Sequence, residues 1–169
     1  MRSKQILRTL LIVTMLSSNI GCDQISKSIV RQRINYNEQI GLMNNYVTLT
    51  RIENTGAFLS LGNSLPQPIR VLLLTILPLC VLGLTLIYLL TKRNLSNLTI
   101  VGICFVVGGG FGNIYDRIIY GSVTDFLHID FLIFQTGIFN MADVSIVTGI
   151  FILLLNSYFG GTKLNAVEF

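Results

Sequence analysis

The chain has 169 residues, of which 51% are hydrophobic and only 12% are charged, and its mean hydropathy is +0.68. Soluble domains carry about 25% charged residues, so this composition excludes an ordinary soluble globule. Disorder is excluded as well, because disordered chains combine low hydrophobicity with high charge. The length suits one domain of the usual size, and residues 1–169 are predicted to form a single integral membrane domain.

The net charge of +4 does not indicate a nucleic-acid partner, because the Lys and Arg residues are scattered and form no basic stripe. The cysteines Cys22, Cys80 and Cys104 lie in apolar stretches without CxxC spacing. They are predicted to be small buried hydrophobic side chains. His128 has no second His or Cys nearby. We therefore expect no metal site and no cofactor.

Long runs without charge predict the membrane spans. Val71 to Thr91 is long enough, at 1.5 Å per residue, to cross a hydrocarbon core of about 30 Å as a helix. Leu98 to Tyr115 and Val144 to Thr162 are also long enough. With their flanks, these runs and the N-terminal one predict four transmembrane helices, over about 6–28, 69–91, 97–117 and 141–160.

The N-terminal run from Thr9 to Cys22 is shorter and allows two interpretations. In one, it belongs to a cleaved signal peptide, and Gly21-Cys22 imitates a lipoprotein cleavage site. In the other, the helix continues through Asp23 and Lys27, whose four-residue spacing places opposite charges on one helical face. We favour the retained helix.

Two polar segments connect the spans, at about 31–67 and 118–139. The first contains the partly alternating stretch Tyr46 to Ile52, which predicts a small sheet or hairpin beside the membrane. The part of the second from Gly121 to Gly137 is rich in Phe, Ile and Leu, and we expect it to lie along the membrane interface. The positive-inside rule leaves the orientation open, because equal numbers of basic residues fall on the two sides of the membrane. The short connection from Thr91 to Asn97 contains Lys92-Arg93 and favours cytoplasmic termini.

Four of the five aspartates fall between Asp116 and Asp143, near the facing ends of the third and fourth spans. Asp125 and Asp143 flank a connection that begins and ends on one side of the membrane, so their carboxylates can meet. Two close carboxylates that share one proton can activate water and polarise a carbonyl, as in aspartic proteases. The alternative is two independent acids at the interface.

Each acid has a nearby amide, because Asn113 precedes Asp116 and Asn140 precedes Asp143 by three residues. Such an amide can orient a carboxylate, donate to a carbonyl or cap a helix end. Arg117, next to Asp116, fits a local ion pair or an interface anchor.

Glycines in the third span are predicted to serve packing. The run Gly108 to Gly112 lacks the context of a nucleotide-binding loop. Gly108 and Gly112 are predicted to let a neighbouring helix approach closely.

Five short motifs follow one another along the chain: Asp23-Gln24-Ile25-Ser26-Lys27, Asn54-Thr55-Gly56-Ala57-Phe58, Gly112-Asn113-Ile114-Tyr115-Asp116-Arg117, Val123-Thr124-Asp125-Phe126 and Phe139-Asn140-Met141-Ala142-Asp143. In this order the chain resembles the lipoprotein signal peptidase family, also called signal peptidase II. Each motif alone is weak, whereas all five in order are specific.

The resemblance implies an aspartyl endopeptidase that removes the signal peptide from diacylglyceryl-modified prolipoproteins immediately before the lipidated cysteine. It implies that Asp125 and Asp143 are the catalytic pair. By the same resemblance, the residues expected to bind substrate are Asn54, Gly56, Asn113, Arg117 and Asn140. Those expected to have structural or positioning roles are Asp23, Lys27 and Asp116.

The resemblance also implies a fold and a location. The fold is a mainly α membrane protein, a four-transmembrane-helix bundle with a small extracytoplasmic β-cradle. The location is the bacterial cytoplasmic (inner) membrane, with an active site that faces the extracytoplasmic side. The implied partners are prolipoproteins, membrane lipids and the inhibitor globomycin, and the first helix must be retained.

Two other functions remain open from the residues themselves. One is a lipoprotein processed at Cys22, which predicts loss of the first 21 residues and a lipid on that cysteine. The other is a small transporter or channel in which the same aspartates relay ions.

Overall fold

A computed structural model describes residues 2–57, 60–131 and 133–165. The elements in chain order are α1 (Arg2–Arg33), β1 (Gln39–Leu42), β2 (Val47–Asn54), α2 (Gln67–Val71), a π-helical turn (Leu72–Ile76), α3 (Leu77–Thr91), α4 (Asn97–Tyr120), β3 (Val123–Ile129) and α5 (Met141–Asn165). Within the described residues, four helical segments are long and apolar enough to cross a membrane: Ser3–Arg33, Gln67–Thr91, Asn97–Tyr120 and Met141–Phe159. Together with the small sheet, they confirm the predicted fold class.

Helix α4 is the centre of the bundle and packs against α1, α3 and α5. Of its apolar stretch, 56% is buried inside the protein, against 17% or less in the other three spans. Those other spans expose large apolar side chains such as Leu7, Leu84 and Phe151. Exposed apolar faces of this kind suit contact with lipid, so the chain is a multi-pass membrane protein.

Glycines in α4 allow its neighbours to approach. A Cβ atom on Gly108 would lie 2.7 Å from the Cβ of Asn19, and one on Gly112 would lie 2.6 Å from Asp23 Oδ2. Both contacts are with α1, which confirms the predicted packing role of these two glycines. Gly109 packs in the same way on α5, where a Cβ would collide with the Ala142 carbonyl oxygen.

The three strands form an antiparallel sheet in the order β1-β2-β3. Strand β2 covers the predicted stretch from Val47 onward, and Tyr46 lies in the turn before it. Strand β3 was not predicted, because its apolar side chains suggested a segment lying along the interface. Instead Phe126 is buried against Val30 and Ile34 at the end of α1, and β3 pairs with β2.

The second span is interrupted by the π-helical turn that precedes Pro78. Proline lacks an N–H and crowds the carbonyl four residues earlier, here that of Leu74. A π-helical turn relieves this conflict and often occurs at functional sites. The cysteine prediction was wrong in part: Cys104 is buried, whereas Cys22 and Cys80 are exposed.

Candidate active site

A cleft of about 230 Å³ lies where β2, β3, α4 and the start of α5 meet. Its polar lining consists of Asn54, Asn113, Arg117, Asp125, Asn140 and Asp143. Its apolar wall comes from the second span, from α5 and from the segment before α5, and includes Leu74, Pro78, Leu82, Ile138 and Ile146. The structure therefore brings the predicted pair of acids into one cleft.

Asp125 lies on β3 opposite Ile52 and is only 5% exposed. Its Oδ1 accepts a hydrogen bond of 2.6 Å from Asn140 Nδ2, and its Oδ2 accepts one of 2.9 Å from Asn54 Nδ2. Burial raises the pKa of this carboxyl to about 6, while the two amide donors act in the opposite direction and nearby Asp143 raises it further. The protonated form of Asp125 is therefore accessible near neutral pH.

Asp143 lies in the first turn of α5, where Asn140 is the N-cap residue. Asn140 Oδ1 accepts from the Asp143 N–H at 3.0 Å, and Asp143 Oδ2 accepts from the Asn140 N–H at 3.2 Å. This reciprocal pair is a capping box. The Nδ2 of the same amide donates to Asp125. Asn140 therefore caps the helix and also joins the two carboxylates.

Asn113 holds the other oxygen of Asp143, to which its Nδ2 donates at 2.9 Å. The amide oxygen of Asn113 accepts from Lys27 Nζ at 2.9 Å. Because an ammonium group can only donate, it fixes which end of the amide points at it. Lys27 therefore sets the direction in which Asn113 presents its NH₂ group to the cleft.

Lys27 belongs to a buried cluster of two acids and two bases behind the cleft. Its Nζ lies 2.8 Å from Asp23 Oδ2 and 3.1 Å from Asp116 Oδ2, and Asp116 Oδ1 lies 2.9 Å from Arg31 Nη2. The cluster is neutral overall, and attraction between its opposite charges offsets part of the free-energy cost of removing them from water. Asp23 Oδ1 also accepts from the Ala142 N–H at 2.9 Å, so α1 helps to cap α5.

Arg117 does not form the local ion pair that its position suggested. Consecutive helical residues point in different directions, and Asp116 faces α1 while Arg117 faces the cleft. Arg117 Nη2 donates to the Gly56 carbonyl oxygen at 2.8 Å. Arg31, which pairs with Asp116 in addition to Lys27, was not identified from the sequence, because it lies beyond the apolar run of α1.

The turn after β2 completes the cleft. Asn54 Oδ1 accepts from the Gly56 N–H at 2.9 Å, and a Cβ on Gly56 would lie 2.6 Å from the Ser60 backbone. Gly56 is therefore confined to a tight turn. Gly56 was expected to bind substrate, but it is not among the described residues that line the cleft. Its neighbour Ala57 is one of them.

No group of three or more His, Cys, Asp and Glu side chains suited to a metal ion occurs in the described parts of the chain. The chemistry that the cleft offers comes from two carboxyl groups, three amides and one guanidinium. Fold and cleft together define a class: a multi-pass membrane protein in which amides hold a pair of carboxyl groups.

A model of the signal peptidase (SPase) II family matches residues 15–159, a range that contains all five motifs. The chain is 41% identical to the lipoprotein signal peptidase of Wigglesworthia glossinidia brevipalpis over 65% of its own length and 70% of that protein. It is 35% identical to the lipoprotein signal peptidase of Streptococcus pneumoniae, over 80% of its own length and 84% of that protein. The chain belongs to the signal peptidase II family.

The fold has a solved counterpart. A structure titled "Bacterial membrane enzyme structure by the in meso method at 2.3 A resolution" superposes with a TM-score of 0.79. It covers 90% of each chain at 19% sequence identity. At that identity the likeness establishes the fold alone.

Proposed function

We propose that this protein is an aspartyl endopeptidase that removes the signal peptide from diacylglyceryl-modified prolipoproteins immediately before the lipidated cysteine. Membership of the signal peptidase II family supports the class of substrate. The observation that carries the aspartyl mechanism is the pair of carboxyl groups in one cleft, both bound to Asn140.

In the proposed reaction the Asp143 carboxylate takes a proton from a water molecule as that water attacks the scissile carbonyl carbon. Asp125, protonated, donates its proton toward the carbonyl oxygen, so the tetrahedral intermediate carries two hydroxyl groups. Transfer of a proton from Asp143 to the leaving nitrogen then breaks the C–N bond, and Asp125 recovers its proton as the carbonyl re-forms. The raised pKa of Asp125, about 6, supports its role as the acid.

The remaining polar groups of the cleft would bind the substrate backbone. Arg117 contacts the turn at Gly56 and lines the cleft, so it is placed to donate to a peptide carbonyl. Asn54 also lines the cleft, but its two amide hydrogens are donated to Asp125 and to the Ala57 carbonyl oxygen, so it would position Asp125. The apolar wall at Leu74, Pro78 and Leu82 suits the lipidated side of the substrate. Globomycin would inhibit by occupying the same cleft.

We further propose a location in the bacterial cytoplasmic membrane with both termini in the cytoplasm. The cleft and the sheet would then lie at the extracytoplasmic side. The short connection that contains Lys92 and Arg93 supports this orientation.

The proposed substrate specificity is tested with the purified protein and three forms of one prolipoprotein: diacylglyceryl-modified, unmodified, and with serine in place of the cysteine. Mass spectrometry of the products gives the cleaved bond. We expect cleavage only of the modified form, directly before the modified cysteine. Cleavage of all three forms, or at another bond, would contradict the proposal. So would intact substrate under conditions in which a known family member cleaves it.

A further inference from the structure

A second cavity, of about 450 Å³, lies between the start of α1, the connection from α3 to α4 and the start of α4. We call it the basic pocket. Its lining includes Lys4, Leu7, Arg8, Leu11, Arg93 and Asn97. Asn97 begins α4, and Asn113 at the cleft is sixteen residues later, which corresponds to about 24 Å along the helix. The basic pocket is therefore at the opposite end of the bundle from the cleft.

Positive charge in the basic pocket has no acidic counterpart among the described residues. Lys4, Arg8 and Arg93 take part in none of the ion pairs there, and none of the lining residues is acidic. The first turn of α4 adds the positive end of a helix dipole. The site therefore favours an anion.

Arg8 is held in place without being neutralised. Its Nη2 donates to the carbonyl oxygens of Leu89 and Lys92 at 2.6 and 2.7 Å, at the end of α3. These carbonyl oxygens are at the C-terminal end of α3, whose partial negative charge offsets only part of the guanidinium charge. A fixed guanidinium with unspent charge is suited to bind a phosphate group.

Apart from Asn97, the remaining lining of the basic pocket is aliphatic, and it continues onto the lipid-facing side of α1. Leu7 is 69% exposed and Leu11 is 45% exposed. A ligand that fits both parts carries an anionic head beside a hydrocarbon chain. Basic pockets between transmembrane helices at the membrane surface are known to bind anionic lipid headgroups.

We propose that the basic pocket binds the headgroup phosphate of an anionic phospholipid, with the first part of one acyl chain along Leu7 and Leu11. A zwitterionic lipid binds less well, because its own ammonium group would face Lys4, Arg8 and Arg93. The site is separate from the cleft, so the proposal does not depend on the reaction catalysed there.

The test is native mass spectrometry of the full-length protein in detergent, titrated with phosphatidylglycerol or with phosphatidylethanolamine. Two variants form a matched pair: Arg93→Gln removes a charge that lines the basic pocket, and Lys92→Gln removes one from the adjacent residue, which does not line it. Both side chains are exposed, so neither change disturbs a buried contact. The thermal midpoint of each variant is measured to check the fold, and inorganic phosphate is included as a competitor.

We expect the protein to retain phosphatidylglycerol in preference to phosphatidylethanolamine. We expect Arg93→Gln to weaken that retention about fivefold, which corresponds to one basic residue near a membrane surface, and Lys92→Gln to leave it unchanged. Equal retention of the two lipids would overturn the proposal, as would equal effects of the two variants. Displacement of the lipid by inorganic phosphate at equal concentration would show a site for free phosphate rather than for lipid, and would also overturn it.

Discussion

Amide groups, rather than cations, hold the two carboxyl groups of the cleft. Asp125 accepts from the side chains of Asn54 and Asn140, and Asp143 accepts from the side chain of Asn113. A cation in direct contact would strongly favour the ionised form of each acid. Amide donors fix the direction of a carboxyl group while they leave one of the pair free to carry a proton.

The pH dependence of cleavage follows from this arrangement. If Asp125 acts as the acid, kcat/KM falls about tenfold per pH unit above a pKa of about 6, because the reactive form is the protonated one. The amide of Asn54 stabilises the charged form, so Asn54→Ala raises the pKa of Asp125 and moves the alkaline limb to higher pH. The measurement is a pH profile of kcat/KM on a lipidated precursor.

Asn113→Ala serves as the control for that profile, because Asn113 donates to Asp143 and not to Asp125. It is expected to lower turnover while it moves the alkaline limb less than Asn54→Ala does. If the alkaline limb of Asn54→Ala moves to lower pH, the limb does not report the titration of Asp125 and belongs to another group.

At the scale of elements, the start of α5 depends on α1. Asp23 accepts from the Ala142 N–H and pairs with Lys27, and both contacts are buried. Breaking a buried ion pair from one side costs about 3–5 kcal/mol. We therefore expect Asp23→Ala to lower the thermal midpoint. We also expect it to lower the yield or the substrate affinity more than the rate of the chemical step.

A second substitution tests the cause of that loss. Asp23→Ala leaves the buried Lys27 ammonium group with one acidic partner fewer. Adding Lys27→Met removes this positive charge, so the double variant should recover part of the loss in thermal midpoint. Glu38→Ala removes an acid that is exposed and accepts two hydrogen bonds from Asn35, so it should lower the midpoint much less than Asp23→Ala does. Loss of turnover by Asp23→Ala at unchanged stability would contradict a structural role.

Close contact between α4 and α5 gives a further prediction. Gly109→Ala places a methyl group against the Ala142 carbonyl, so we expect a loss of about 1–3 kcal/mol of stability and a fall in turnover. Gly83→Ala is the matched control on α3, because nothing lies within 4 Å of a Cβ there. Thermal midpoints of the two variants make the comparison, and equal effects would refute the packing argument.

Much of this architecture was predictable from the sequence, and the parts that were missed have physical reasons. Charge-free runs determine membrane spans because a charge inside hydrocarbon is unfavourable. Strand β3 was missed because its apolar side chains resemble those of an interfacial segment, and only pairing with β2 distinguishes the two. The motifs contain the polar residues of the cleft but not its apolar wall. Arg31 was missed because its contact depends on which face of α1 meets α4, and that is a property of tertiary packing.

Viewed as a whole, the molecule has a cleft and a basic pocket at opposite ends of its bundle. The start of α1 lines the basic pocket, and Asn156 of α5 contacts Thr99 at the start of α4, so the described ends of these two helices lie on the side of the basic pocket. Reporter fusions test the proposed orientation: a fusion after Lys92 should be active only in a cytoplasmic reporter, and one after Gly121 only in an extracytoplasmic reporter. The reversed pattern would contradict the orientation.

The most direct test of the account is the rate at which the purified protein cleaves a diacylglyceryl-modified prolipoprotein in detergent. Wild type is compared with Asp125→Asn and Asp143→Asn, and the thermal midpoint of each protein is measured to check that it is folded. Asparagine keeps the shape of each side chain and removes its titrating proton. We expect cleavage by the wild type and none by either variant. Near-normal turnover in either folded variant would show that the two carboxyl groups do not form the catalytic pair.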